Sequence, residues 1–101
     1  MPLVMKSLDA ATAAGAGAEL MFDVPRAPNV MQFQVTGSPT GFSCFLEGTL
    51  DGTNWLSLSG SGDPTQFIVS TIPVIGIRAN VHQLDGGSSP TVTATIGTKD
   101  Y

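Results

Sequence analysis

A chain of 101 residues with a formal net charge of −4 has room for one domain, and a domain of that size buries roughly 60–70 % of its unfolded surface around a single core. Four Lys and Arg against eight Asp and Glu argue against a nucleic-acid partner, because affinity for phosphate comes from clustered cations that release counterions. No apolar run approaches the roughly 20 residues that span a bilayer, and with one cysteine, Cys44, and one histidine, His82, the chain has no means of making an internal disulfide or a thiolate metal cluster.

In chain order, the start from Met1 to Leu8 carries one Lys and no long apolar core, which does not read as a secretory signal. Leu3 to Leu8 is predicted as a short strand. Ala10 to Ala18 is rich in alanine, but Gly15 and Gly17 each cost about 1 kcal/mol in a helix interior and no apolar stripe is present, so a loop is predicted. The alternative for residues 1–18 is a partly flexible N-terminal strand and arm that packs on a neighbouring subunit.

Glu19 to Val24 is a further short strand. In Met31-Gln32-Phe33-Gln34-Val35 the apolar residues take one face and the glutamines the other, the signature of a half-buried strand. Phe42 to Leu50 alternates in the same way, with Phe42, Cys44, Leu46, Gly48 and Leu50 as one set and Ser43, Phe45, Glu47 and Thr49 as the other. Asp51-Gly52 then reads as a tight turn, and Trp55 to Leu58 and Phe67 to Ser70 as short strands.

The longest strand is predicted over Ile75 to Leu84, with Ile75, Ile77, Ala79 and Val81 on one face and Gly76, Arg78, Asn80 and His82 on the other. In the last strand, from Thr91, the residues Val92, Ala94 and Ile96 face inward and threonines face out. Gly- and Pro-containing clusters at 37–39, 60–64 and 85–90 separate these segments. About eight short antiparallel strands imply an all-β sandwich, jelly-roll-like or immunoglobulin-like, as one domain over residues 1–101. Phe33, Leu46, Ile77, Val81, Val92 and Ile96 are assigned to the core by period, and Trp55 by its size.

Chemistry is sparse. His82 has no second His or Cys near it in sequence, so neither a zinc site nor a Ser-His-Asp set can be assembled around it. Gly60-Ser61-Gly62 lacks the Lys and following helix of a phosphate loop, and Asp51-Gly52-Thr53-Asn54 lacks the Glu that closes a calcium loop. No catalytic residue, metal ligand or cofactor site is predicted, and the chain is read as a non-enzyme.

Leu46-Glu47-Gly48-Thr49-Leu50-Asp51-Gly52-Thr53-Asn54-Trp55 is similar to the "LEGSLDGTNW" element of small bacteriophage structural proteins. Gly76-Ile77-Arg78-Ala79-Asn80-Val81 resembles their "YIRANV" strand, with Gly76 where the pattern has an aromatic. A Gly-rich turn and a Thr/Val-rich last strand follow, here Thr91 to Thr98. This resemblance, over about Ser43 to Thr98, implies a β-sandwich made in a bacterial host cytoplasm and placed in the virion, as a head decoration or minor capsid protein or else a tail or baseplate component. The partner implied is the major capsid protein or another virion protein, and a homo-oligomer is expected, a trimer or a set around a local symmetry axis, joined by strand edges and by residues 1–18, with no nucleic acid and no membrane. A comparable turn occurs in discoidin-like carbohydrate-binding sandwiches, in which Trp55, Asn54 and the neighbouring loops would form a sugar-binding rim.

Overall fold

The computed structural model describes residues 3–63 and 66–99. Among them are nine strands and no helix: β1 (Val4–Ala11), β2 (Gly15–Ala16), β3 (Leu20–Arg26), β4 (Asn29–Thr36), β5 (Gly41–Thr49), β6 (Leu56–Ser61), β7 (Gln66–Ser70), β8 (Val74–Asp85) and β9 (Thr91–Thr98). One sheet has the order β1-β9-β4-β7, and the other β2-β8-β5-β6 with β3 also paired to β8. Every pairing is antiparallel.

Counting β2 and β3 as one interrupted strand gives two four-stranded sheets. Each connection then crosses from one sheet to the other except the β5–β6 hairpin. That is a jelly roll, not the immunoglobulin arrangement, in which more of the consecutive strands share a sheet.

Alternation by two fills the space between the sheets. From the β1-β9-β4-β7 sheet come Met31, Phe33, Ile68, Val92, Ala94 and Ile96, and from the other Cys44, Leu46, Ile77, Ala79 and Val81, all buried. Large side chains stand beside small ones along the ladders: Phe33 pairs with Ala94, and Leu46 with Ala79. Interdigitation of this kind lets a close-packed interior form without strained rotamers. Burial also pushes the Cys44 thiol up to about 12, so it is neutral and unreactive in the folded chain.

Trp55 is a correction. It is half-buried rather than in the core, and it precedes β6 rather than opening it. The cause is parity: Ser57 pairs with Glu47 on the outer face of the sheet, and a residue two positions earlier in an extended chain points the same way. The interior between the sheets is occupied by the buried set above.

The Ala10 to Ala18 segment is a second correction. β1 runs on to Ala11, and Gly15 and Ala16 pair with Val81 and Asn80. Beyond them Gly17 N–H donates to the Ala79 carbonyl at 2.8 Å and Ala18 N–H to the Ser7 carbonyl at 2.8 Å. The hydroxyl of buried Ser7 donates to the Ala18 carbonyl at 2.7 Å and accepts the Ala79 N–H at 3.0 Å. A β1 side chain thus ties one sheet to the other, and a Cβ on Gly17 would overlap the Ser7 carbonyl. Ser7→Ala should cost about 1–3 kcal/mol, because it leaves a buried N–H without its acceptor; urea denaturation measures it, and an unchanged midpoint would show that the bridge carries no stability.

Candidate functional site on the outer face of the β5–β8 sheet

Outward parity on β8 presents Arg78, Asn80 and His82, and the register with β5 sets Glu47 opposite Arg78 and Phe45 opposite Asn80. Glu47 is buried although it lies on an outer face. Its carboxylate accepts from Arg78 Nε at 2.8 Å and from Asn80 Nδ2 at 3.0 Å, and His82 Nε2 lies 3.5 Å away. Burial works against ionisation of Glu47, but the hydrogen bonds from Arg78, Asn80 and His82 and the charge of Arg78 outweigh it, so its carboxyl is held below the ordinary 4.5.

Two flat stacks flank this carboxylate. The Arg78 guanidinium lies over the Trp55 ring at 4.5 Å from the centroid and also pairs with Glu19 at 3.6 Å. The Phe45 ring stacks on His82 at 4.3 Å with planes 26° apart, and it lies across Gly60 of β6, where a Cβ would overlap it. The face is therefore a fixed polar and aromatic surface. Each charged group of this face has a partner within it.

The loop 50–55 is stabilised by its own side chains. Asp51 Oδ1 accepts the N–H groups of Thr53 and Asn54 at 2.8 and 2.7 Å, and Oδ2 accepts Asn54 Nδ2 at 2.7 Å. These bonds hold the Asp51 carboxyl well below the usual carboxylate range. Gly52 has φ of +79°, which explains a glycine there, and its N–H donates to Thr49 Oγ1 at 3.0 Å. The six residues make a side-chain-capped loop longer than the tight turn expected, and the Asn54 amide donor that a sugar rim would use is bonded to Asp51. Beside this loop lies an apolar groove of about 330 Å³, with Leu50, Leu56, Leu58, Ile72, Pro73 and Val74 in its walls.

Sequence alone placed Arg78, Asn80 and His82 on one face and Glu47 on the outward set of β5, but it did not bring them together. Register was the missing information, and the available signal was two outward charges of opposite sign on neighbouring long strands. Among the described residues no group of three or more His, Cys, Asp or Glu could hold a metal ion.

Trp55→Ala should cost only about 1–2 kcal/mol, the scale of a partly desolvated cation–π contact plus some lost apolar burial. Thermal melting tests this, and a loss above about 3 kcal/mol, the range for a buried aromatic, would restore Trp55 to the core.

No family model matches the chain, and no curated protein matches it in sequence. Among solved structures it is similar to the SPBc2 prophage-derived protein YomS, with a TM-score of 0.66 and 13 % identity over 95 % of this chain and 91 % of that one. It is also similar to CBM32-3 from a family 31 glycoside hydrolase of Clostridium perfringens, with a TM-score of 0.54 and 14 % identity over 95 % of this chain and 75 % of that one. A family 89 glycoside hydrolase from Clostridium perfringens matches with a TM-score of 0.60 and 9 % identity over 97 % of this chain and 14 % of that one. What the chain shares with these proteins, one of them prophage-derived, is a β-sandwich fold.

Proposed function

We propose that this chain is a non-enzymatic structural protein of a bacteriophage particle, placed on the head as a decoration or minor capsid protein that binds the major capsid shell. The observation that carries the reading is the likeness to a prophage-derived protein along nearly the whole of both chains. Fold likeness at that identity is analogy, and the surface adds a physical reason. Twelve charged residues in 101 leave an exterior of Ser, Thr, Gln and exposed apolar side chains, which pairs readily with other protein. The Glu47, Arg78 and His82 cluster is a closed set of partners rather than an acid, a base and a nucleophile facing a cleft.

Copy number on purified particles, by quantitative mass spectrometry, tests the placement. Hundreds of copies on heads are expected; a few to a few dozen confined to tails would move the protein to the tail or baseplate.

The second reading is a carbohydrate-binding module, favoured by the likeness to CBM32-3 and by a half-buried Trp55 on a polar face. Trp55 is the single tryptophan, so its fluorescence reports this face directly. Under the structural reading, titration with mono- and oligosaccharides leaves the emission unmoved, and a saturable shift would establish the sugar site instead.

A further inference from the structure

Among the described residues the sandwich has four sheet edges, and natural proteins protect edges with charge, proline, bulges or interruption so that they do not pair with other chains. β1 carries Lys6 and Asp9, two register shifts and a positive φ at Ala10. The β2–β3 edge is interrupted, has a register shift of its own and includes Asp23 and Pro25. β6 is bulged against β5 and contains Gly60. β7 differs from all of these. Its sequence Gln66-Phe67-Ile68-Val69-Ser70 has no charge, no Pro and no Gly, and it pairs with β4 without any register shift.

Phe67 and Val69 point outward and are 73 % and 59 % exposed. The row that Val69 continues is apolar too, since Val69 pairs with Val30 and Val30 with Gly97, whereas Phe67 stands beside Gln32 and Thr95. Among the described residues β7 has β4 on one side and no strand on the other.

The geometry points to β7 as a self-pairing edge, whose occupant is β7 of a second copy in antiparallel register about Ile68. That register sets Gln66 against Ser70, Phe67 against Val69 and Ile68 against its own counterpart. Phe67 and Val69 then form two aromatic–β-branched cross-strand pairs, a favourable class, and each sheet extends from four strands to eight. Self-complementarity selects the occupant, since the same five residues supply both members of every pair, and because none is charged, two chains of net charge −4 set no like charges directly opposite one another there. A self-complementary strand closes as a two-fold dimer, in place of the trimer expected from sequence.

Pairing five residues buries on the order of 400 Å² per partner, about half of a standard interface. The contact is accordingly weak in dilute solution and fills where copies are held at millimolar effective concentration, as on a particle surface. This deepens the assembly role proposed above and rests on that role for its setting. Solution association and particle copy number are measured separately, so either can fail alone.

Sedimentation velocity of the purified chain up to about millimolar concentration is expected to show monomer and dimer. In F67K/V69K the lysines oppose one another across the two-fold, and the dimer should weaken at least about tenfold, since like charges directly opposite are destabilising. F67K/V69E sets Lys against Glu in the same register and should return the affinity to within about threefold of the wild type. L56K, on the rim groove, should leave it unchanged. Both β7 positions are exposed, so melting curves will show all variants folded. A wild type that stays monomeric at the highest concentration, an F67K/V69K dimer as tight as the wild type, a charge pair that fails to restore affinity, or loss of association in L56K would each overturn the proposal.

Discussion

Phe33→Ala should be the most damaging single substitution in the chain, lowering stability by about 3–5 kcal/mol. Phe33 is fully buried and sits on β4, one of the two inner strands of its sheet, between β9 and β7. Its ring packs against Phe42 of the opposite sheet at 5.7 Å and 48°, so one side chain spans the space between the layers. Truncation removes the transfer energy of the ring and leaves a cavity that the small Ala94 beside it does little to fill. Urea denaturation measures the loss. Its contrast with Trp55→Ala is the informative quantity: Phe33 should exceed Trp55 by at least about 1 kcal/mol, and the reverse order would place the anchor of the fold on the outer face.

Arg78→Ala should be the second largest, at about 2–4 kcal/mol, a little under the usual cost of breaking a buried ion pair because the Arg78 side chain is 20 % exposed. The loss comes from leaving the Glu47 carboxylate buried without its cation and removing the stack on Trp55. The pair also fixes a pH dependence whose sign follows from Glu47. Its folded-state carboxyl lies below the ordinary 4.5, so its contribution is complete above that value and is lost as pH falls through the folded-state value.

In the Arg78→Ala variant burial dominates and pushes the Glu47 carboxyl upward, so acidification relieves the buried charge. The fall in stability below pH 4.5 should flatten or invert. Adding Glu47→Gln to Arg78→Ala should recover part of the loss, giving a coupling energy of about 1–3 kcal/mol in a double-mutant cycle. An acid limb identical to that of the wild type, or strictly additive losses, would show that the pair is solvated and contributes little.

The sequence by itself determined which side of each long strand faces inward. That is a property of period two along a single segment, and it holds wherever the segment is placed: Phe33, Leu46, Ile77, Val81, Val92 and Ile96 are all buried as their alternation requires. Turn chemistry separates eight of the nine strands in the same local way, and both together lead to an all-β sandwich. What local pattern does not encode is which strands become neighbours. Size says that the Trp55 ring will seek burial, but only the register of Ser57 against Glu47, two positions further on, decides which face of the sheet it meets.

The Gly15–Ala16 strand has no side-chain signal, and it exists because β8 offers it backbone partners at Val81 and Asn80 with Gly17 small enough to pass Ser7. The Glu47–Arg78–His82 cluster joins residues 31 positions apart, and the exposure of β7 follows from its place at the end of the order β1-β9-β4-β7. Face is set within a strand by alternation, whereas neighbour and edge are set between strands by long-range pairing, and only the tertiary structure decides those.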